Sequence, residues 1–205
     1  KRYIFFLINK YFRKRFTVSN IYFQKGFVER KLSLTYAVIG NISRSRGALS
    51  IFEFAANNSN INFLVVGKFY DFDLKEKFNG LKNVIFHNYL PQNELFELML
   101  DCCGIFSLYD PSLEINKLAA SNKVYDAMML GIPVITNPEV INSNFIVEKG
   151  IGLTVNYDYD NTWEKLNSPN YMDSASTMGR NGRILFEKQY DFEKIVENRL
   201  VKYIA

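Results

Sequence analysis

Apolar positions along the chain follow two alternating rhythms: short unbroken runs, and longer stretches spaced by three and four residues. Runs at residues 34–40, 62–67, 83–87 and 104–108 are rich in β-branched and aromatic residues and predict buried strands, the first ending at Gly40. Residues 47–57 place Ala48, Leu49, Phe52, Ala55 and Ala56 at helical spacing, and residues 94–100, after Pro91, carry a Leu95, Leu98, Met99 stripe. A polar, partly helical stretch separates the second and third strands. Farther on, the pattern predicts a helix over 121–130, a strand over 133–136, a loop and helix over 141–149 and a short strand over 152–155. Two closing helices follow at 172–188 and 192–203, with Leu185, Phe186, Ile195, Val196, Leu200 and Val201 as core positions. Trp163 reads as a packing anchor. Such alternation predicts an α/β domain, a doubly wound parallel sheet with helices on both faces.

The sharpest boundary lies in residues 121–135, SNKVYDAMMLGIPVI. Ser121 and Asn122 are N-cap types, Val124, Ala127, Met128 and Leu130 form an inner face, Gly131 suits the C′ position, and Pro133 stops continuation. The first turn of this helix offers unpaired N–H groups and the positive end of the macrodipole. Lys123 adds a full charge there, and Asp126 shares its face. A cation with free N–H groups suits a diphosphate, and a nearby carboxylate suits ribose hydroxyls, so the pair describes a nucleotide. The plain alternative is a solvated ion pair on an exposed face. Upstream, GNISRSRG at residues 40–47 joins a strand to a helix, as in the first half of a nucleotide-binding βαβ unit, although it is not G-x-G-x-x-G. Its arginines equally suit a solvated turn.

The 121–135 stretch resembles the SNKLFE-type signature and following G-x-P-V-I strand of group 1 retaining glycosyltransferases of the GT-B fold. The resemblance covers residues 34–203, the donor-binding half. It implies that Ser121, Asn122, Lys123 and Val124 hold the donor diphosphate and that Asp126 holds the ribose, where the family usually has Glu. The turn at Gly40 and Asn41 resembles the family's G-x-K/R-G turn, with Arg46 at the basic position and Arg44 as a looser candidate. The loop after the third strand, including Tyr89 and Leu90, would cup the base. Many members place a second acid eight positions before the ribose carboxylate; here that position is Leu118, so Glu114, Asn116 or Lys117 would have to contact the sugar. The implied reaction is transfer of a sugar from a nucleotide diphosphate donor to a glycan or lipid-linked acceptor with retention, as in polysaccharide biosynthesis. Arg46 and Lys123 would stabilise the leaving charge, with no metal and no cofactor. His87 reads as structural, and Asp110 as a turn former before Pro111.

Composition then narrows the setting. The 205 residues are 48% hydrophobic and 22% charged, ordinary for a globular domain, and no apolar run approaches the roughly 20 residues of a spanning helix. Cys102 and Cys103, with only His87, match no zinc spacing and suggest a reducing compartment. Charge is uneven: residues 1–31 hold nine Lys or Arg against one Glu, the remainder sixteen against twenty acids. We therefore expect a basic aromatic linker or N-terminal-domain remnant at 1–31 and a nucleotide-sugar-binding domain at 32–205. The head can lie on an anionic bilayer, giving a cytoplasmic chain peripheral to the inner membrane face, or pack on a partner. No nucleic-acid recognition motif accompanies it. A second reading is a non-catalytic tethering domain that uses this basic head to hold a membrane or partner enzyme. An isolated chain is expected to bind donor but transfer poorly.

Overall fold

The computed structural model describes residues 32–190. Six parallel strands form one sheet: β1 (Ser33–Ile42), β2 (Asn62–Phe69), β3 (Val84–His87), β4 (Cys102–Phe106), β5 (Val134–Thr136) and β6 (Gly152–Thr154). Their spatial order is β3-β2-β1-β4-β5-β6. The helices between them are α1 (Ala48–Asn57), α2 (Phe72–Asn79), α3 (Gln92–Met99), α4 (Glu114–Lys117), α5 (Asn122–Leu130), α6 (Ser143–Glu148) and α7 (Tyr171–Leu185). The doubly wound parallel sheet expected from the alternation is therefore present, and its order reverses between β1 and β4, where folds of this kind open a ligand crevice.

Each strand residue faces one of two cores. Tyr36 and Val38 of β1 join Phe54, Phe63, Phe106 and Trp163 on one side, while Ala37 and Ile39 join Ala127, Met128 and Val134 on the other. Period-two alternation with both faces covered explains why these strands read as continuous apolar runs. Buried hydroxyls are satisfied across the first core: Tyr36 Oη donates to the Leu166 carbonyl at 2.6 Å and Tyr171 Oη to that of Cys103 at 2.9 Å.

Several boundaries differ from the sequence expectation for non-local reasons. β1 continues past Gly40, because Gly40 pairs with Gly67, Asn41 with Lys68 and Ile42 with Phe69. Gly40 has φ 87°, and a Cβ on Gly67 would stand 1.9 Å from the Gly40 carbonyl oxygen, so the glycine marks a close crossing rather than a strand end. β4 starts and finishes two residues earlier than residues 104–108, although Ser107 N–H still bonds the Ile135 carbonyl at 2.8 Å. A 3-10 segment at Asn161–Asn167, absent from the sequence reading, carries Trp163, whose indole stacks on Phe106 at 5.4 Å and donates to the Asn156 and Asp158 carbonyls. The first closing helix ends at Leu185 and loosens into a π turn at Phe186–Tyr190. The 192–203 helix, its core positions Ile195, Val196, Leu200 and Val201, and the basic head at 1–31 lie outside the described residues.

α7 packs on the end of α5 through glycine: a Cβ on Gly179 would stand 2.1 Å from the Gly131 carbonyl oxygen. Arg183, buried and bonded to Glu187 at 2.6 Å, also donates to the Met129 carbonyl. Among the described residues no helix is long and apolar enough to cross a membrane.

Candidate functional site

Two chain crossings meet at the carboxyl edge between β1 and β4. After β1 the backbone makes one 3-10 turn at Arg44–Arg46 and reverses at Gly47, which has φ 72°. A Cβ there would come within 2.7 Å of Leu108, so both conformation and contact demand glycine. The β4 loop is stitched to this turn by the Asp110 N–H, which donates to the Ser45 carbonyl at 3.0 Å. Tyr157 adds a strut by donating its hydroxyl to the Arg44 carbonyl. Burial, reinforced by the nearby Asp110 charge, pushes that phenol up to about 12.

The two arginines of the turn have different fates. Arg44 is drawn to the start of α2: its N–H bonds Asp71 at 2.9 Å and its guanidinium pairs with Asp73 at 2.6 Å and Asp71 at 3.3 Å. Its hydrogen bond holds the Asp73 carboxyl below the usual range. Arg46 turns inward, with its guanidinium carbon 4.2 Å from the centre of the Tyr109 ring. Among the described residues, Arg46 Nη1 is the buried side-chain polar atom left without a hydrogen-bond partner. Burying such a donor unpaired costs on the order of 1–3 kcal/mol, more when charged.

α5 forms as the local signals dictate. Ser121 caps it, its Oγ accepting from Lys123 N–H at 3.3 Å, and Gly131 closes it at φ 68° while Ile132 N–H reaches the Ala127 carbonyl at 2.9 Å. The Val124 N–H bonds the Ser121 carbonyl at 3.2 Å, so two of the amides expected to face a ligand are already engaged. Charge is what this end offers. The half-buried Lys123 ammonium is held below the ordinary lysine range, first by burial and also by the Arg46 charge, with Tyr109 and Asp126 pulling the other way. Arg46, Tyr109 and Asp126 thus each lie within electrostatic reach of Lys123 at the switch point, and Arg46 also lies on the Tyr109 ring. Two half-buried cations with one nearby carboxylate make a site that favours an anion.

The other sequence candidates are scattered around this centre. Gly40 and Asn41 sit exposed at the crest of β1, with open space where a Gly40 Cβ would be. Tyr89 is 83% exposed beyond β3, while Leu90 packs on the second core. Glu114 forms an exposed pair with Lys117 at 2.6 Å. Asn116 is buried and committed to its own loop, donating to the Asp110 carbonyl at 3.2 Å. Asp110 Oδ1 accepts from the N–H and hydroxyl of Ser112, the turn role expected of it. Leu118 points to solvent at 69% exposure. Sequence reasoning missed Tyr109 and Asn137, since a tyrosine just past a strand carries no local sign of what stacks on it. Among the described residues, no three His, Cys, Asp or Glu side chains gather to hold a metal ion.

No protein-family model matches the chain, and no curated protein matches it significantly. Solved structures do. WaaG, a glycosyltransferase involved in lipopolysaccharide biosynthesis, superposes with a TM-score of 0.59 at 20% identity, over 84% of this chain and 47% of its own. HepE from Anabaena, in complex with UDP and glucose, gives 0.62 at 14% identity, over 92% and 52%. Sucrose-phosphate synthase from Thermosynechococcus elongatus gives 0.61 at 16% identity, over 88% and 46%. The chain spans about half the length of each of these structures. The described residues carry the Rossmann-like fold of one half of a GT-B glycosyltransferase.

Proposed function

We propose that this chain is the donor-binding half of a retaining, group 1 (SNKLFE-type) glycosyltransferase that moves a sugar from a nucleotide diphosphate donor to a glycan or lipid-linked acceptor. The observation that carries this reading is the unpartnered Arg46 Nη1 beside the Lys123 ammonium at the switch point of the sheet. A diphosphate supplies the acceptor oxygens that this buried donor lacks, and it offsets two like charges at once. As the bond between the anomeric carbon and the diphosphate breaks, negative charge grows on the leaving phosphate. Arg46 and Lys123 interact more strongly with that state than with the intact donor, which is the condition for lowering a barrier. Asp126 takes the ribose hydroxyls, and the exposed crest at Gly40 and Asn41 lets the donor approach the backbone. We assign no metal to this step.

UDP is the first nucleotide to test, because HepE was solved with UDP and glucose. Titration calorimetry of the 205-residue chain should show UDP, GDP or ADP binding, with uridine far weaker than UDP; absence of binding by all three at millimolar concentration removes the proposal. We further propose that this chain alone transfers poorly, that it works in the cytoplasm, and that residues 1–31 meet the inner membrane face. Salt-sensitive liposome binding without any nucleotide binding would favour the tethering reading instead.

A further inference from the structure

One fully buried amide outside the proposed donor contacts is bonded in an unusual way. Asn137 follows β5, and its Oδ1 accepts from the Tyr109 N–H at 2.9 Å while its Nδ2 donates to the Tyr109 carbonyl at 3.0 Å and to Glu139 at 2.7 Å. Both main-chain groups of a single residue are held by one side chain. The β4–β5 ladder pairs Ile105 with Val134 and Phe106 with Ile135, and it is prolonged by Thr136 Oγ1 donating to the Ser107 carbonyl at 2.9 Å. Where the backbone ladder runs out, the Asn137 carboxamide stands in for the next peptide group, so Tyr109 is fixed as firmly as a strand residue although it belongs to a loop.

Tyr109 is in turn the surface on which Arg46 lies, 4.2 Å from ring centre to guanidinium carbon. A stack of this kind holds the guanidinium plane while leaving its N–H edge available. We infer that Asn137, acting through Tyr109, is a positioning residue for the Arg46 guanidinium. The inference rests on the donor-diphosphate reading for its functional meaning, but the geometric relay stands apart from it. Lys123, which interacts with Tyr109, Arg46 and Asp126 through their charges, keeps its own backbone support in Ser121 and the α5 ladder. Loss of Asn137 should therefore affect Arg46 selectively.

The test uses the full chain with inorganic pyrophosphate and two readouts. In NMR spectra, Arg46 side-chain resonances should carry an upfield ring-current shift in the wild type and in Tyr109→Phe, and lose it in Tyr109→Leu and Asn137→Ala. In calorimetry, pyrophosphate affinity should fall about tenfold in Tyr109→Leu and Asn137→Ala, and less than about threefold in Tyr109→Phe. Asn137→Ser, which offers a hydroxyl but no carboxamide and adds no charge beside Glu139, should fall between, and it serves if Asn137→Ala does not fold. Retention of the shift and the affinity in both Asn137 variants overturns the relay. If wild type binds neither pyrophosphate nor nucleotide, the donor reading fails, while the ring-current comparison still decides whether Asn137 places Arg46.

Discussion

The outer and inner flanks of the turn after β1 hold arginines two positions apart, yet they are electrostatically opposite. On the outer flank Arg44 meets two carboxylates of the α2 start, and its charge is spent within the protein. On the inner flank Arg46 meets an aromatic face and another cation, and one of its buried nitrogens has no partner. A charge marks a binding site only when the fold leaves it uncompensated. Exposed ion pairs such as those of Arg44 contribute little to stability or to ligands, whereas an unpaired, partly desolvated cation interacts strongly with any anion that reaches it.

The contrast predicts a ranked set of outcomes. Arg46→Ala should show the largest effect, weakening UDP on the order of a hundredfold by calorimetry, because a desolvated charge-assisted contact is lost. Lys123→Ala should follow at roughly tenfold or more on UDP with little change for uridine; equal weakening of both would remove its phosphate role. Lys123→Met should also raise the thermal midpoint of the ligand-free chain, since it relieves a cation buried beside another cation. A pH effect comes next. The folded pKa of Lys123 is depressed, so once the UDP diphosphate is fully ionised, UDP affinity should be level around neutral pH and fall as pH climbs through that lowered value, earlier than for an exposed lysine. Over the same window the folded chain holds fewer protons than the unfolded one, so ligand-free stability should rise with pH, and Lys123→Met should remove both trends. The smallest effect should be that of Arg44→Ala, within about threefold on UDP; a loss matching Arg46→Ala would erase the distinction between the flanks.

What could be read from residues alone follows the range of the interactions involved. α5 was legible almost to the residue, since Ser121, Gly131 and Pro133 act within a turn of where they stand. The sheet was legible as a class, because strands buried on both faces leave continuous apolar runs. The end of β1 was not, as its extension depends on Gly67 across the sheet. The motif ranked Arg46 above Arg44 but could not show why their fates differ, for the deciding carboxylates, Asp71 and Asp73, lie at the start of another helix and the deciding ring, Tyr109, beyond another strand. The amide supply at the start of α5 was overestimated because Ser121 satisfies part of it through both its side chain and its carbonyl.

The seating of α7 on α5 bears on how the anion-facing turn moves. Gly179 lies flush on the Gly131 carbonyl and Arg183 grips that of Met129, so the distal end of α5 is bolted down. Its proximal end, carrying Lys123, is held by other contacts: Val124 is buried in the second core and the Tyr125 ring lies 5.4 Å from that of Tyr190. A methyl group in the Gly179 seat would press on the Gly131 carbonyl, so a change made far from the anion-facing turn would be felt along the whole rod, the ammonium included.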